Sequence, residues 1–133
     1  MTVINDSESC PFCSLPASRI VEENRHGLLI LDGYPVSPGH SLVIPKRHVS
    51  SFFELTQLEQ ADLFNLLERA KVRVAKQHRP DGYNIGINDG AAAGQTVPHL
   101  HIHLIPRYGG DQADPRGGVR WVIPEKADYW TGR

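Results

Sequence analysis

The sequence predicts an α+β fold: five short antiparallel strands in one sheet, with one long helix laid against it. Three observations carry that reading. Residues 99–105 (His99-Leu100-His101-Ile102-His103-Leu104-Ile105) alternate imidazole and aliphatic side chains with the period of a strand. Leu63, Leu66, Leu67, Ala70 and Val74 recur at helical spacing behind two capping-box patterns. Elsewhere, short apolar runs are bounded by turn residues.

The elements follow in order. Ser9-Cys10-Pro11-Phe12-Cys13 forms a tight Cys-x-x-Cys knuckle in an N-terminal segment, residues 1–18. Residues 19–23 and 28–31 read as two strands joined by Asn24-Arg25-His26-Gly27, a hairpin turn in which glycine would supply a positive φ. Two prolines and two glycines make residues 33–39 a loop, and residues 40–44 a third strand closed by Pro45. Ser51 to Glu54 and Thr56 to Glu59 both fit the capping box, so residues 57–77 form one amphipathic helix. Its polar face (Glu59, Asp62, Glu68, Arg69, Arg73, Lys76) reads as solvated, and Pro80-Asp81-Gly82 stops it. Residues 83–88 are a fourth strand, 89–98 a glycine- and alanine-rich loop, and 99–105 the fifth strand. Residues 108–133 form an irregular tail in which residues 119–123 and Tyr129-Trp130 could dock.

Length and charge narrow the function. The 133 residues suit one domain spanning 1–133, with 40% hydrophobic and 22% charged residues in the ordinary globular range. A formal charge of −1 offers no global attraction to nucleic acid or anionic membrane. A phosphate ligand would need local positive potential, for which Lys46, Arg47 and Arg107 are candidates. No apolar stretch approaches the roughly 20 residues of a membrane span. The start of the chain lacks a signal core, so the expected location is cytoplasmic. In a reducing compartment two cysteines are thiols or metal ligands rather than a stabilising disulfide.

The alternating histidines carry the chemistry. On a strand, all three imidazoles share one face, with Leu100, Ile102 and Leu104 on the other. The preceding Gly94-Gln95-Thr96-Val97-Pro98 is a small turn whose backbone N–H groups could meet an anion. Composition leaves two readings open: an open metal site on the histidines, or a phosphate site.

The wider pattern is more specific. Residues 94–107, with the stretch Leu31-Asp32-Gly33-Tyr34-Pro35-Val36-Ser37-Pro38-Gly39-His40 running on to Pro45-Lys46-Arg47-His48, resemble the histidine-triad (HIT) superfamily of nucleotide hydrolases and transferases, from about residue 10 to residue 107. The resemblance implies the same HIT-like fold, two protomers joining their sheets into a homodimer, and cleavage at the α-phosphate of a nucleotide, with adenine nucleotides the expected substrate. By resemblance His101 is the nucleophile, its second ring nitrogen bonded to the backbone carbonyl of His99. His103 and His40 match supporting, phosphate-side histidines. Gly94, Gln95 and Thr96 match the phosphate-binding turn, Thr96 and Asn88 positions near the leaving group, and Asp32 the ribose-binding acid.

Cys10 and Cys13 resemble the knuckle of a zinc-binding branch, whose remaining ligands match His48 and His99. Two thiolates and two imidazoles satisfy zinc completely, so this metal would be structural, one per chain, and the chemistry would need no cofactor. A redox role for Cys-x-x-Cys would want a βαβ context that the chain lacks. The sequence after Pro106-Arg107 looks like bacterial members described as diadenosine-polyphosphate hydrolases, which leaves the leaving group (amine, nucleotide or phosphate) open. Two other readings remain: a nucleotide-binding signalling or interaction module with incidental turnover, and a metal-dependent hydrolase using His99, His101 and His103.

Overall fold

The structure, a computed structural model, describes residues 9–132. The expected N-terminal features of residues 1–8 lie outside the described residues. Five strands form one antiparallel sheet: β1 (Ile20–Glu23), β2 (Gly27–Leu31), β3 (Ser41–Pro45), β4 (Gly82–Ile87) and β5 (Ile102–Arg107), in spatial order β1-β2-β3-β5-β4. Helix α1 (Gln57–His78) covers one face and buries Leu63, Leu66, Ala70 and Val74 against Leu29, Val43, Ile102 and Leu104. Among the described residues no helix is long and apolar enough to cross a membrane.

Both capping boxes form. Thr56 accepts from the Glu59 N–H, while the Glu59 carboxylate accepts from the Thr56 N–H, satisfying two donors that a helix start leaves orphaned. The Ser51–Glu54 box opens only a single 3₁₀ turn, Phe52–Glu54. Helix α1 ends where Arg79 takes a left-handed conformation (φ 50°) just ahead of Pro80. A second, short helix, α2 (Pro124–Ala127), follows the 3₁₀ turn Gly118–Val122 in the tail.

Four expectations need correction. Gly27 does not turn the chain with a positive φ; it is the first residue of β2. A Cβ there would lie 2.6 Å from Leu63 Cδ2 and 2.9 Å from Leu66 Cδ1, so glycine lets the helix approach the sheet. The turn is closed by Asn24, whose Oδ1 accepts from the Gly27 N–H (2.9 Å).

The polar face of α1 is not simply solvated. Glu59 is buried beneath Arg47. Asp62 accepts from His26 (2.7 Å), and Arg69 pairs with Glu22 (2.6 Å). These contacts fasten the helix to the β1–β2 hairpin and to the segment after β3.

The candidate phosphate cations are already spent. Lys46 pairs with Glu23, Arg47 with Glu59, and Arg107 with Asp111 and the Asn84 side-chain oxygen.

Strand β5 starts at Ile102 rather than His99. Continuing the β3–β5 register sets Pro45 opposite Leu100, and proline has no N–H for a ladder. The Leu100 N–H goes instead to the Val49 carbonyl (2.7 Å), leaving residues 99–101 as an extended lead into the strand.

Candidate functional site

The face of the sheet away from α1 holds the histidines. His101 and His103 are adjacent there, ring centroids 5.1 Å apart, and His40 joins them from the end of the loop before β3, 5.2 Å from His103. Asp32, just past β2, approaches the same His40 nitrogen, Nε2, that faces His103. Pairing β2 with β3 and β3 with β5 brings together residues far apart in the chain.

The hydrogen bonds assign the protons. His101 Nδ1 lies 2.8 Å from the His99 carbonyl, which can only accept, so Nδ1 carries a proton and Nε2 is the lone-pair nitrogen of the neutral ring. His40 Nδ1 accepts from the Val36 N–H (3.1 Å), so His40 Nε2 carries the proton. That proton lies between His103 Nδ1 at 2.9 Å and Asp32 Oδ2 at 3.3 Å. His103 Nδ1 thus accepts, and its Nε2–H is left to donate. Burial pushes His40 and His103 below the ordinary imidazole value. Neighbouring His101 and His40 push His103 further the same way, while Asp32 opposes the shift on both. Both rings are therefore neutral donor–acceptor links, the state this chain of bonds requires.

Chemically, the arrangement sets an unprotonated nitrogen beside an N–H donor in a partly dry setting. His101 is only 8% exposed. A neutral imidazole so held can attack phosphorus, and its neighbour can steady a non-bridging oxygen. Asp32, His40 and His103 also lie close enough to be considered as a cation group. The Val36 N–H, however, fixes a proton on the His40 nitrogen such a cation would need.

In the turn before the triad, the Gln95 side chain is a brace. Its oxygen accepts from the Gly90 N–H, and its nitrogen donates to the Ser50 and Val97 carbonyls. The Gly94 and Gln95 N–H groups bond to Ala91 and Gly90, which leaves Thr96, exposed at the loop tip, as the turn's outward polar residue. Asn88 lines the same small hollow as His40 and His103.

His99 departs from its neighbours. Fully buried, it donates through Nε2 to the Pro45 carbonyl (2.8 Å), which leaves the Nδ1 lone pair facing His48 Nδ1 at 3.1 Å. Cys10 Sγ and Cys13 Sγ each lie 3.5 Å from the same nitrogen, and Cys13 Sγ is 3.1 Å from His48 Nδ1. All four ligand atoms fall within 4.8 Å of one another.

This donor set fits tetrahedral zinc. Bonds of about 2.0–2.3 Å put the edges of the tetrahedron at about 3.3–3.8 Å. His99 Nδ1 turns its lone pair toward the centre of the set, 3.1 Å from His48 Nδ1. Desolvation and the nearby Cys10 push the Cys13 thiol up to about 11, so without a cation it keeps its proton. The Pro45 carbonyl supplies the outer bond that fixes a ligating histidine's tautomer.

Phe12, between the two cysteines, packs edge-on against both His99 and His101, at 5.8 and 5.3 Å. Sequence reasoning missed it, although its place inside the knuckle was a usable signal. The Val36 and Pro45 backbone groups left no such signal, because any residue type can supply them.

Comparison with known proteins agrees with this geometry. The chain is 39% identical over 112 residues to the AP-4-A phosphorylase of Mycobacterium tuberculosis, covering 79% of this chain and 57% of that protein. It is 34% identical over 119 residues to the bis(5'-adenosyl)-triphosphatase of Saccharomyces cerevisiae, covering 89% of this chain and 55% of that one. The chain thus spans little more than half the length of either enzyme. Among solved structures, a zinc-bound histidine triad family protein from Mycobacterium smegmatis superposes with a TM-score of 0.71 at 39% identity, covering 81% of each chain. The HIT domain pattern itself matches residues 16–110, and with its triad and sheet order the chain belongs to the HIT family.

Proposed function

We propose that this protein cleaves nucleotides at the α-phosphate through a nucleotidyl-His101 intermediate, with dinucleoside polyphosphates carrying adenine as the substrate class. One observation carries the reading: His101 Nδ1 is tied to the His99 carbonyl, which makes Nε2 the lone-pair nitrogen of the neutral ring, beside the donor His103. The named activities of the two enzyme relatives, on diadenosine tetraphosphate and triphosphate, supply the substrate class.

In the first step His101 Nε2 bonds to the α-phosphorus, and the phosphorus–oxygen bond to the remaining polyphosphate breaks, the electron pair leaving with that oxygen. His103 Nε2–H and the Thr96 N–H and hydroxyl meet the non-bridging and leaving oxygens. In the second step an acceptor oxygen, of water or phosphate, bonds to phosphorus, and the phosphorus–nitrogen bond breaks to restore His101. Water yields a nucleoside monophosphate; phosphate yields a diphosphate.

Asp32 accepts from the ribose hydroxyls, with the base against the partly exposed Phe12 and Leu28, which pack over buried Ile30. Gly94, Gln95 and Asn88 shape the phosphate end. Cys10, Cys13, His48 and His99 hold one zinc per chain, which ties the N-terminal knuckle to the start of the triad strand and takes no part in the chemistry. Because His99 turns toward the cysteines, the three triad histidines do not converge on one ion, which disfavours the metal-hydrolase reading. A second copy pairs with the first through the open edge of β4.

Rapid quenching of wild-type protein with α-labelled diadenosine tetraphosphate tests the reading. Label on the protein, acid-labile and absent from His101→Asn, is the expected result. Binding without label or product would instead mark a nucleotide-binding module. Running the reaction with and without phosphate identifies the acceptor.

A further inference from the structure

On the β4 side of the triad the site continues as a groove. A hollow of about 250 Å³ opens beside His103, between Asn84, Ile105 and Val119. Asn84, Ile105 and Val119 also line a second hollow of about 490 Å³ that ends on Trp121. A third, of about 430 Å³, shares Asn84 and Ile105 and opens toward Tyr108. The far wall is the C-terminal tail.

That wall is built rather than draped. The Trp121 indole N–H donates to the Arg116 carbonyl (2.7 Å), and Arg120 donates to the Ala127 and Lys126 carbonyls. Gly118 sits close on β4, where a Cβ would come within 3.1 Å of Asn84 Nδ2. Arg116 stacks on Trp130 and Arg120 on Tyr129, whereas no cation or ring covers Trp121 among the described residues. Trp121 is 46% exposed.

The groove's chemistry selects its occupant. Its cations are neutralised, Arg107 by Asp111 and Arg116 by Asp114, so it does not suit a polyphosphate chain. What remains is Ile105, Val119, an open indole face and the side-chain amides of Asn84 and Gln112. Such a surface takes an uncharged aromatic heterocycle: stacking on the indole, hydrogen bonds at the edge. The proposed nucleoside half lies on the β2 side, at Asp32, and the phosphorus at His101. A leaving group therefore extends toward β4.

We propose that the C-terminal tail forms a leaving-group subsite in which the second base of a dinucleoside polyphosphate stacks on Trp121, with Val119 as the wall between that base and His103. The proposal deepens the reading above and rests on it. It makes the tail the part of the chain that favours dinucleotide leaving groups over small amines or phosphate.

Binding is tested apart from turnover. The chain has two tryptophans, so in a His101→Asn, Trp130→Phe protein Trp121 is the one fluorophore of its kind. Diadenosine tetraphosphate should quench it saturably, while AMP, filling only the β2 side, should not. Equal quenching by AMP, or calorimetric binding of the dinucleotide with no quenching, overturns the proposal.

The kinetic arm compares substrates. Trp121→Ala should lower kcat/KM for diadenosine tetraphosphate about tenfold relative to that for adenosine 5′-phosphoramidate, in line with the loss of one stacking contact. Val119→Glu, which leaves the tail's internal bonds untouched, should shift the same ratio in the same direction. An unchanged ratio in both variants overturns the proposal. If wild type turns over neither substrate, the catalytic reading fails, while the fluorescence result still decides the subsite.

Discussion

The carbonyl of His99 accepts a 2.8 Å hydrogen bond from Nδ1 of His101, while the imidazole of His99 faces Cys10, Cys13 and His48. One residue thus serves two centres. Its backbone sets the proton on His101 Nδ1, and its side chain meets the N-terminal knuckle at the entrance to the strand.

Removing the His101 imidazole should abolish turnover and spare binding. His101→Asn should lose at least about a hundredfold in kcat, the usual cost of a single catalytic group, with nucleotide affinity within a few-fold of wild type by calorimetry. A variant that keeps more than about a hundredth of the rate would displace His101 from that role.

Zinc should bind at one equivalent per chain, with two sulfur and two nitrogen ligands in X-ray absorption spectra. Replacing Cys10 and Cys13 together with serine should abolish uptake and lower the melting temperature. A ligand bound only to the folded state adds about 4 kcal/mol when present at about a thousand times its dissociation constant. Failure of untagged wild type to take up zinc would exclude the site. Activity of wild type should outlast brief exposure to chelator for as long as the fold persists.

Packing at the hairpin gives a stability test. Gly27→Ala puts a methyl into the space held by Leu63 and Leu66, and overpacking of this kind costs about 1–3 kcal/mol. Urea unfolding should show a lower midpoint with little change in slope. An unchanged midpoint would mean that the two leucines swing aside freely.

Acid should weaken the fold through the buried imidazoles. His40 and His103 are held below 6.5, so between their folded values and 6.5 the unfolded chain binds more protons than the native one. Their neutral state costs nothing in stability above 6.5, and stability falls as pH drops below it. Melting temperatures across that range should decline toward acid, with a shallower slope in His103→Gln. A flat wild-type profile would contradict the neutral assignment.

Some of this was legible in the chain itself because the forces are local. Alternation places His101 and His103 on one face, and Thr56 with Glu59 starts the helix, since both effects reach only a few residues along the backbone. The likeness of the Cys10–Cys13 knuckle to that of a zinc-binding branch marked Cys10, Cys13, His48 and His99 as a set, and the fold brings their ligand atoms within 4.8 Å. Other features required the tertiary structure. Arg47, Lys46 and Arg107 looked available for phosphate until folding delivered a carboxylate to each. Gly27 resembled a turn residue because the leucines that demand it lie more than thirty positions away. The triad strand begins late because Pro45, from another strand, has no N–H to offer Leu100. The sequence by itself determined periodicity, caps and the identity of the reactive groups. Long-range packing decided which charges remain free, which imidazole nitrogens hold protons, and what the tail encloses, because each depends on the partner that burial brings into contact.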